Sequence, residues 1–302
     1  MNIGEVIAAN ALYGTTLTAS KILVSFAPPV FLIGIRMTIA GSLLLAYQFL
    51  VKKKSLCLNT SHWVYLIQIA LFNIYLPYVL RYWSLQYLSV SKSALFFNLT
   101  PLVSYVISYI LGLQKQSLTK WAGITIGMLG FLPMILSKES VSVSNCSTND
   151  ILSLPELAMF GAIVSLSYSW IVVQKAARMI SSPITINGLS MLIGGILALI
   201  TSFYTEKVLI KASPYELIGW LSFVIIVTNF ICYNWQIKLL RKFSATVMAL
   251  AGLAAPLVAT ITSIIFLGEN LTWQFCLATA MLGLGIWIFY QTEANQLPEL
   301  AE

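Results

Sequence analysis

The sequence predicts an all-α integral membrane fold, with ten transmembrane helices in two inverted five-helix repeats. Three observations carry this. The chain of 302 residues is 59% hydrophobic and only 9% charged, where a soluble domain carries about a quarter charged residues to face water. Its apolar residues gather into ten segments near the ~20 residues that span hydrocarbon. The second half of the chain repeats the first.

The ten segments lie near 3–23, 30–51, 62–85, 91–113, 120–137, 156–174, 183–203, 216–237, 244–267 and 272–290. The first follows a start with Glu5 in place of a basic n-region and is too long for an h-region, so it reads as a retained helix. The links are short except 138–155, SKESVSVSNCSTNDILSL, which is polar and Ser-rich. This gives a first repeat at 1–137, a linker at 138–155, a second repeat at 156–290 and a tail at 291–302.

The net charge of +7 is not gathered into a nucleic-acid patch. The basic residues sit between apolar segments. One side holds Lys52, Lys53, Lys54, Lys115, Lys120, Lys175, Arg178, Lys238, Arg241 and Lys242, against Lys138, Lys207 and Lys211 on the other. By the positive-inside rule the first group is cytoplasmic, and an even number of spans then places both termini there. A plasma (inner) membrane is the expected location.

The repeat is visible at a shift of 154, where Lys21 meets Lys175, Pro29 meets Pro183, Gly34 meets Gly188 and Gly41 meets Gly195. Further on the shift is 155, where Tyr78 meets Tyr233, Pro101 meets Pro256 and Gly130 meets Gly285. Five helices per copy is an odd number, so the second copy enters the membrane upside down. Inverted repeats are a recurring plan of secondary transporters, with the solute site at their interface near the midplane.

These motifs, in this order and doubled, resemble a known family. They are ANALYGTTLTASKIL, PVFLIGIR and SALFFNLTPLVSYVISYILGL in the first half, then SPITINGLSMLIGG and ALAGLAAPLVATITSIIFLGENLTWQFCLATAMLGLG in the second. Together they resemble the drug/metabolite transporter superfamily, in its ten-helix EamA-type branch. The resemblance implies alternating access and a cavity lined by the first, third, fourth, sixth, eighth and ninth spans. It also implies an acid at Glu269, whose mate in the first half is Gln114. The family's solutes range over amino acids, nucleotide-linked compounds and cationic drugs, so membership does not name the solute.

The candidate substrate-binding residues are Asn10, Tyr13, Tyr75, Tyr78, Asn98, Trp170, Asn229 and Tyr233. Tyr75, Tyr78 and Tyr82 stand at i, i+3 and i+7, which puts them on one face of an ideal α-helix. Such a face stacks on a flat or cationic solute, or belongs to an interfacial aromatic belt. Asn10, Asn73, Asn98, Asn187, Asn229 and Asn234 are amides at depth and must face protein or a cavity, since lipid leaves them unsatisfied. Arg36 is read as a structural clamp, and Lys21 and Lys175 as snorkelling cations. Pro101 and Pro256 break matched helices and serve as hinges or packed kinks. Gly123, Gly127 and Gly130, with Gly283 and Gly285, suit close helix packing within the bundle or a homodimer.

No metal or cofactor is expected. His62 is the one histidine, and the four cysteines (Cys57, Cys146, Cys232, Cys276) show no CxxC. There is no phosphate-binding Gly-rich loop for ATP drive. The expected function is therefore secondary transport of a small organic metabolite through the bilayer, by a monomer or homodimer. An amino acid or related zwitterion comes first and an adenosyl metabolite such as S-adenosylmethionine second. A channel or membrane-embedded enzyme is the rival from another class.

Overall fold

A computed structural model of the chain describes residues 3–50, 58–112, 118–130, 153–180, 182–240, 254–269 and 273–296. Among them the elements are helical: α1 (Ile3–Phe26), α2 (Pro29–Leu50), α3 (Thr60–Ile69), a π-helical segment (Ala70–Tyr75), α4 (Leu76–Leu85), α5 (Val90–Phe97), α6 (Thr100–Ile110) and α7 (Leu118–Leu129). The second half holds α8 (Leu154–Met179), α9 (Pro183–Thr205), α10 (Pro214–Val224), a second π-helical segment (Ile225–Cys232), α11 (Tyr233–Leu240), α12 (Ala254–Leu267) and α13 (Trp273–Gln296). The stretches Pro29–Leu50, Thr60–Leu85, Val90–Ile110, Leu154–Met179, Pro183–Thr205 and Pro214–Gln236 are long and apolar enough to cross a bilayer. Large side chains such as Leu50, Ile110, Phe203 and Ile265 lie exposed on the outside, as lipid-facing residues do. The chain is a multi-pass integral membrane protein. The predicted linker up to residue 152, the end of the fifth span, the start of the ninth, Cys57, Cys146, Gln114 and the tail beyond 296 lie outside the described residues.

Short polar signals set where the helices begin. Ser89, Ser182 and Ser213 accept from the amides of Lys92, Thr185 and Glu216, and Pro183 and Pro214 follow two of them, where a missing N–H costs nothing. His62 serves such a start: its Nδ1 accepts from the amide of Asn59 at 3.2 Å. Glutamates reach across the bundle to do the same. Glu206 accepts from the amides of Val30 and Phe31 at 3.0 and 2.9 Å. Glu269 accepts from those of Val90 and Ser91 at 2.8 and 3.3 Å. Each carboxylate meets the positive end of a helix dipole.

The predicted fourth span is not one helix. Asn98 and Leu99 form a turn between α5 and α6, and Pro101 falls in the first turn of α6. The continuous helix Thr60–Leu85 and the run Pro214–Leu240 each contain a wide π segment, at Ala70–Tyr75 and Ile225–Cys232. The starts of the two segments are 155 residues apart, the same shift that aligns the later part of the two halves.

Glycine allows the closest approach between helices. α2 and α9 form the most extensive helix pair. A Cβ on Gly41 would lie 2.6 Å from the Leu192 amide nitrogen, and one on Gly195 would lie 2.5 Å from that of Thr38. The flanking contacts are reciprocal: Gly34 lies against Leu199, and Gly188 against Leu45. Small residues of this kind let backbones meet where lipid offers no hydrophobic drive. α7 and α13 pair in the same way, with Gly130 on Met281 and Gly285 on the backbone of Gly123 and Gly127. Gly283 meets nothing within 4 Å.

Candidate functional site

The helices enclose a cavity of about 100 Å³. Its wall is built from α1 (Ala9, Asn10, Tyr13, Leu17), Asn73 of the first π segment, the α5–α6 turn region (Ala94, Phe97, Asn98, Thr100), α8 (Leu166, Trp170), Cys232 with Tyr233 and Gln236 of α11, and the start of α12 (Ala255, Pro256). These belong to the first, third, fourth, sixth, eighth and ninth predicted spans, the set that the resemblance implies. The wall mixes amides and hydroxyls with aromatic faces. It offers both hydrogen bonds and stacking, as solute pockets generally do.

Of the sequence-predicted residues, Asn10, Tyr13, Asn98, Trp170, Tyr233 and Pro256 line this cavity. Tyr78 stands directly behind it, with its hydroxyl bonded to that of Tyr233. The two repeat mates therefore touch each other. Tyr75 and Asn229 stand off the wall. Tyr75 turns its hydroxyl to Thr201 at 2.7 Å. Its ring still packs in the apolar cluster that holds Tyr78 and Tyr82. Asn229 is fully buried, and its carbonyl oxygen accepts from Arg36 Nε at 2.9 Å.

Arg36 holds side chains of other helices. Besides Asn229 it donates to the Tyr82 hydroxyl at 2.6 Å, which in turn donates to Ser20 at 3.0 Å. Its guanidinium lies 5.2 Å over the Tyr78 ring. Lys21 likewise stays within the protein. Its Nζ donates to the carbonyls of Leu85, the last residue of α4, and of Leu88 just beyond it. Lys92 pairs with Glu156 at 2.6 Å, with both side chains almost fully buried. With Glu269 on α5, these contacts tie together one end of α1, α4, α5, α8 and α12.

Sequence reasoning passed over Arg81. It is buried, donates to the Tyr13 hydroxyl at 2.9 Å, and lies 4.8 Å from the Phe97 ring centroid. The available signal was a cation inside the apolar aromatic run YVLRYW. An intramembrane ionisable residue is by default a functional candidate. Asn73, Thr100, Phe97 and Gln236 also line the wall without having been singled out for it.

The sequence pattern of the EamA-like transporter family matches residues 3–136 and 153–291, one copy in each half. The chain belongs to the EamA-like transporter family. Among its relatives is the S-adenosylmethionine/S-adenosylhomocysteine transporter of Chlamydia trachomatis serovar L2, 29% identical over 94% of this chain and 88% of that one. The transporter of the same name from Chlamydia muridarum is 30% identical, covering 94% and 90%. Protein PagO of Salmonella typhimurium is 25% identical, covering 95% and 91%. A crystal structure with 18% sequence identity superposes with a TM-score of 0.67 over 97% of each chain, which establishes likeness of fold.

Proposed function

We propose that this EamA-family protein is a secondary transporter of adenosyl metabolites of the S-adenosylmethionine and S-adenosylhomocysteine class. The observation that carries the reading is near-full-length similarity, at 29–30% identity, to relatives bearing that name. It favours the second of the two solute classes read from the sequence over the amino acid. The cavity agrees chemically. Tyr13, Phe97, Trp170 and Tyr233 offer ring faces for a purine, and Asn10, Asn73, Asn98 and Gln236 offer amides for its edge and ribose.

The mechanism we propose is alternating access between two inverted repeats of five helices each. Its support is the reciprocity of the α2–α9 contacts under a shift of 154 and the matched π segments. The cavity of about 100 Å³ is well below the ~300–1,000 Å³ of ordinary solute pockets. Loading therefore requires the surrounding helices to part. Lys92–Glu156 and Glu269 tie one end of the bundle together. Under the positive-inside assignment it is the outer end, which leaves the cytoplasmic side to open first. The setting we propose is the plasma (inner) membrane, with both termini in the cytoplasm.

The test is counterflow. Liposomes holding the purified protein and loaded with unlabelled S-adenosylhomocysteine should take up labelled S-adenosylmethionine transiently and saturably. Counterflow of an amino acid that adenosyl compounds leave untouched would restore the zwitterion reading. Conductance without saturation would replace the carrier with a channel.

A further inference from the structure

Arg81 is 3% exposed, at a depth where a cation without a counterion is costly. Its Nη1 donates to Tyr13 Oη, but its Nε has no hydrogen-bond partner. Among the described residues, the ionisable groups facing it are Tyr13, Tyr78, Tyr82 and Arg36, and none of these is a carboxylate. The guanidinium is surrounded by rings: it lies 4.8 Å from the Phe97 centroid, 5.5 Å from Tyr78 and 5.8 Å from Tyr13. Tyr13 and Phe97 both line the cavity. Arg36 differs, because its Nε and Nη1 both have acceptors within the protein. A second donor beside the same cavity is also unused: Asn98 Nδ2 is buried without a partner.

Buried donors are almost always satisfied, and a guanidinium fork matches a carboxylate in two parallel hydrogen bonds. Arg81 stands behind the wall residues Tyr13 and Phe97, and its Nε and the Nδ2 of the wall residue Asn98 are two buried donors without partners, which a cargo anion reached as the helices part would satisfy. We propose that Arg81, positioned by the Tyr13 hydroxyl and joined by Asn98, binds a carboxylate of the transported solute. The inference rests on the adenosyl reading and adds to it the means by which the amino-acid end is held. The rings recognise the flat end of the solute and Arg81 its charged end.

The test compares S-adenosylhomocysteine with its decarboxylated analogue, which keeps the adenosine, thioether and amine. Binding is measured on the purified full chain in nanodiscs. The wild type should hold the carboxylated compound more tightly, on the order of ten- to a hundredfold, as hydrogen bonds to a charged group do. In R81Q the two should bind alike. Equal binding of the two by the wild type, or a wild-type ratio kept in R81Q, overturns the site. Should R81Q fail to fold, R81K carries the test. Lysine keeps the charge but not the fork, so the ratio should fall without vanishing, and an unchanged ratio overturns the assignment. Failure of the wild type to bind either compound overturns the adenosyl reading, and this inference with it. Equal binding overturns the carboxylate site alone.

Discussion

At the scale of single residues, the structure separates tyrosines that look alike in the sequence. Tyr233 lines the cavity, Tyr78 supports it through a hydroxyl–hydroxyl hydrogen bond, and Tyr75 turns away to Thr201. Tyr233→Ala should therefore weaken solute affinity severalfold, the loss of a stacking face worth about 0.5–2 kcal/mol. Tyr75→Phe should leave transport kinetics at the wild-type value. Equal loss in both variants, measured by counterflow at matched membrane levels, would show that the cavity is misassigned. Much of this site was legible, because amides and aromatics at depth in apolar helices have few places to go. The π segment was not legible: no residue in Ala70–Tyr75 signals the widened turn. Arg81 was legible only as a cation in an apolar run, since beside Tyr82 and Trp83 it has the same local pattern as an interfacial belt. Only the fold shows it buried against Tyr13 and Phe97.

At the scale of helices, glycine position decides more than glycine content. Gly283 and Gly285 both fit a small-residue packing pattern in the sequence, yet only Gly285 meets another helix. A Cβ there would lie 2.5 Å from the Gly123 carbonyl oxygen and 2.8 Å from the Gly127 amide nitrogen. Those are backbone atoms that cannot swing aside, so Gly285→Val forces α13 away from α7. The cost should be about 1–3 kcal/mol, as for other overpacked contacts. Gly283→Val has open space and should be near neutral. Thermal unfolding of the purified protein reads the difference, and equal midpoints for the two variants would count against the α7–α13 packing. The helix starts were easier to read: Ser-Pro and Ser-x-x-Glu mark them locally. The long-range caps were not, because Glu206 and Glu269 serve helices more than 150 residues away in sequence.

At the scale of the whole molecule, the placement of charge bears on how transport is driven. Proton-coupled carriers relay protons through Asp, Glu or His within their spans. Here Glu5, Glu156, Glu206, Glu216, Glu269 and Glu293 are the acids in or beside the described helices, and each stands at or near a helix end. Glu206 and Glu269 are occupied capping helices, and Glu156 is paired with Lys92. The described cavity wall carries amides, hydroxyls and rings but no carboxylate. From this placement the expected mode is movement of solute down its own gradient or exchange of one solute for another. Liposomes with equal solute on both sides should therefore show no net accumulation after an imposed pH step, while counterflow proceeds at either pH. Accumulation that follows the step and disappears in Glu5→Gln or Glu156→Gln would show that an end-placed acid carries the proton. Because Glu156→Gln strands Lys92 in a buried site, a loss of about 3–5 kcal/mol in stability is expected from that variant alone. The double variant K92Q/E156Q removes both charges and distinguishes the two causes. Restored counterflow without pH response assigns Glu156 to the tied end of the bundle, and restored counterflow with a persistent pH response places the proton path elsewhere.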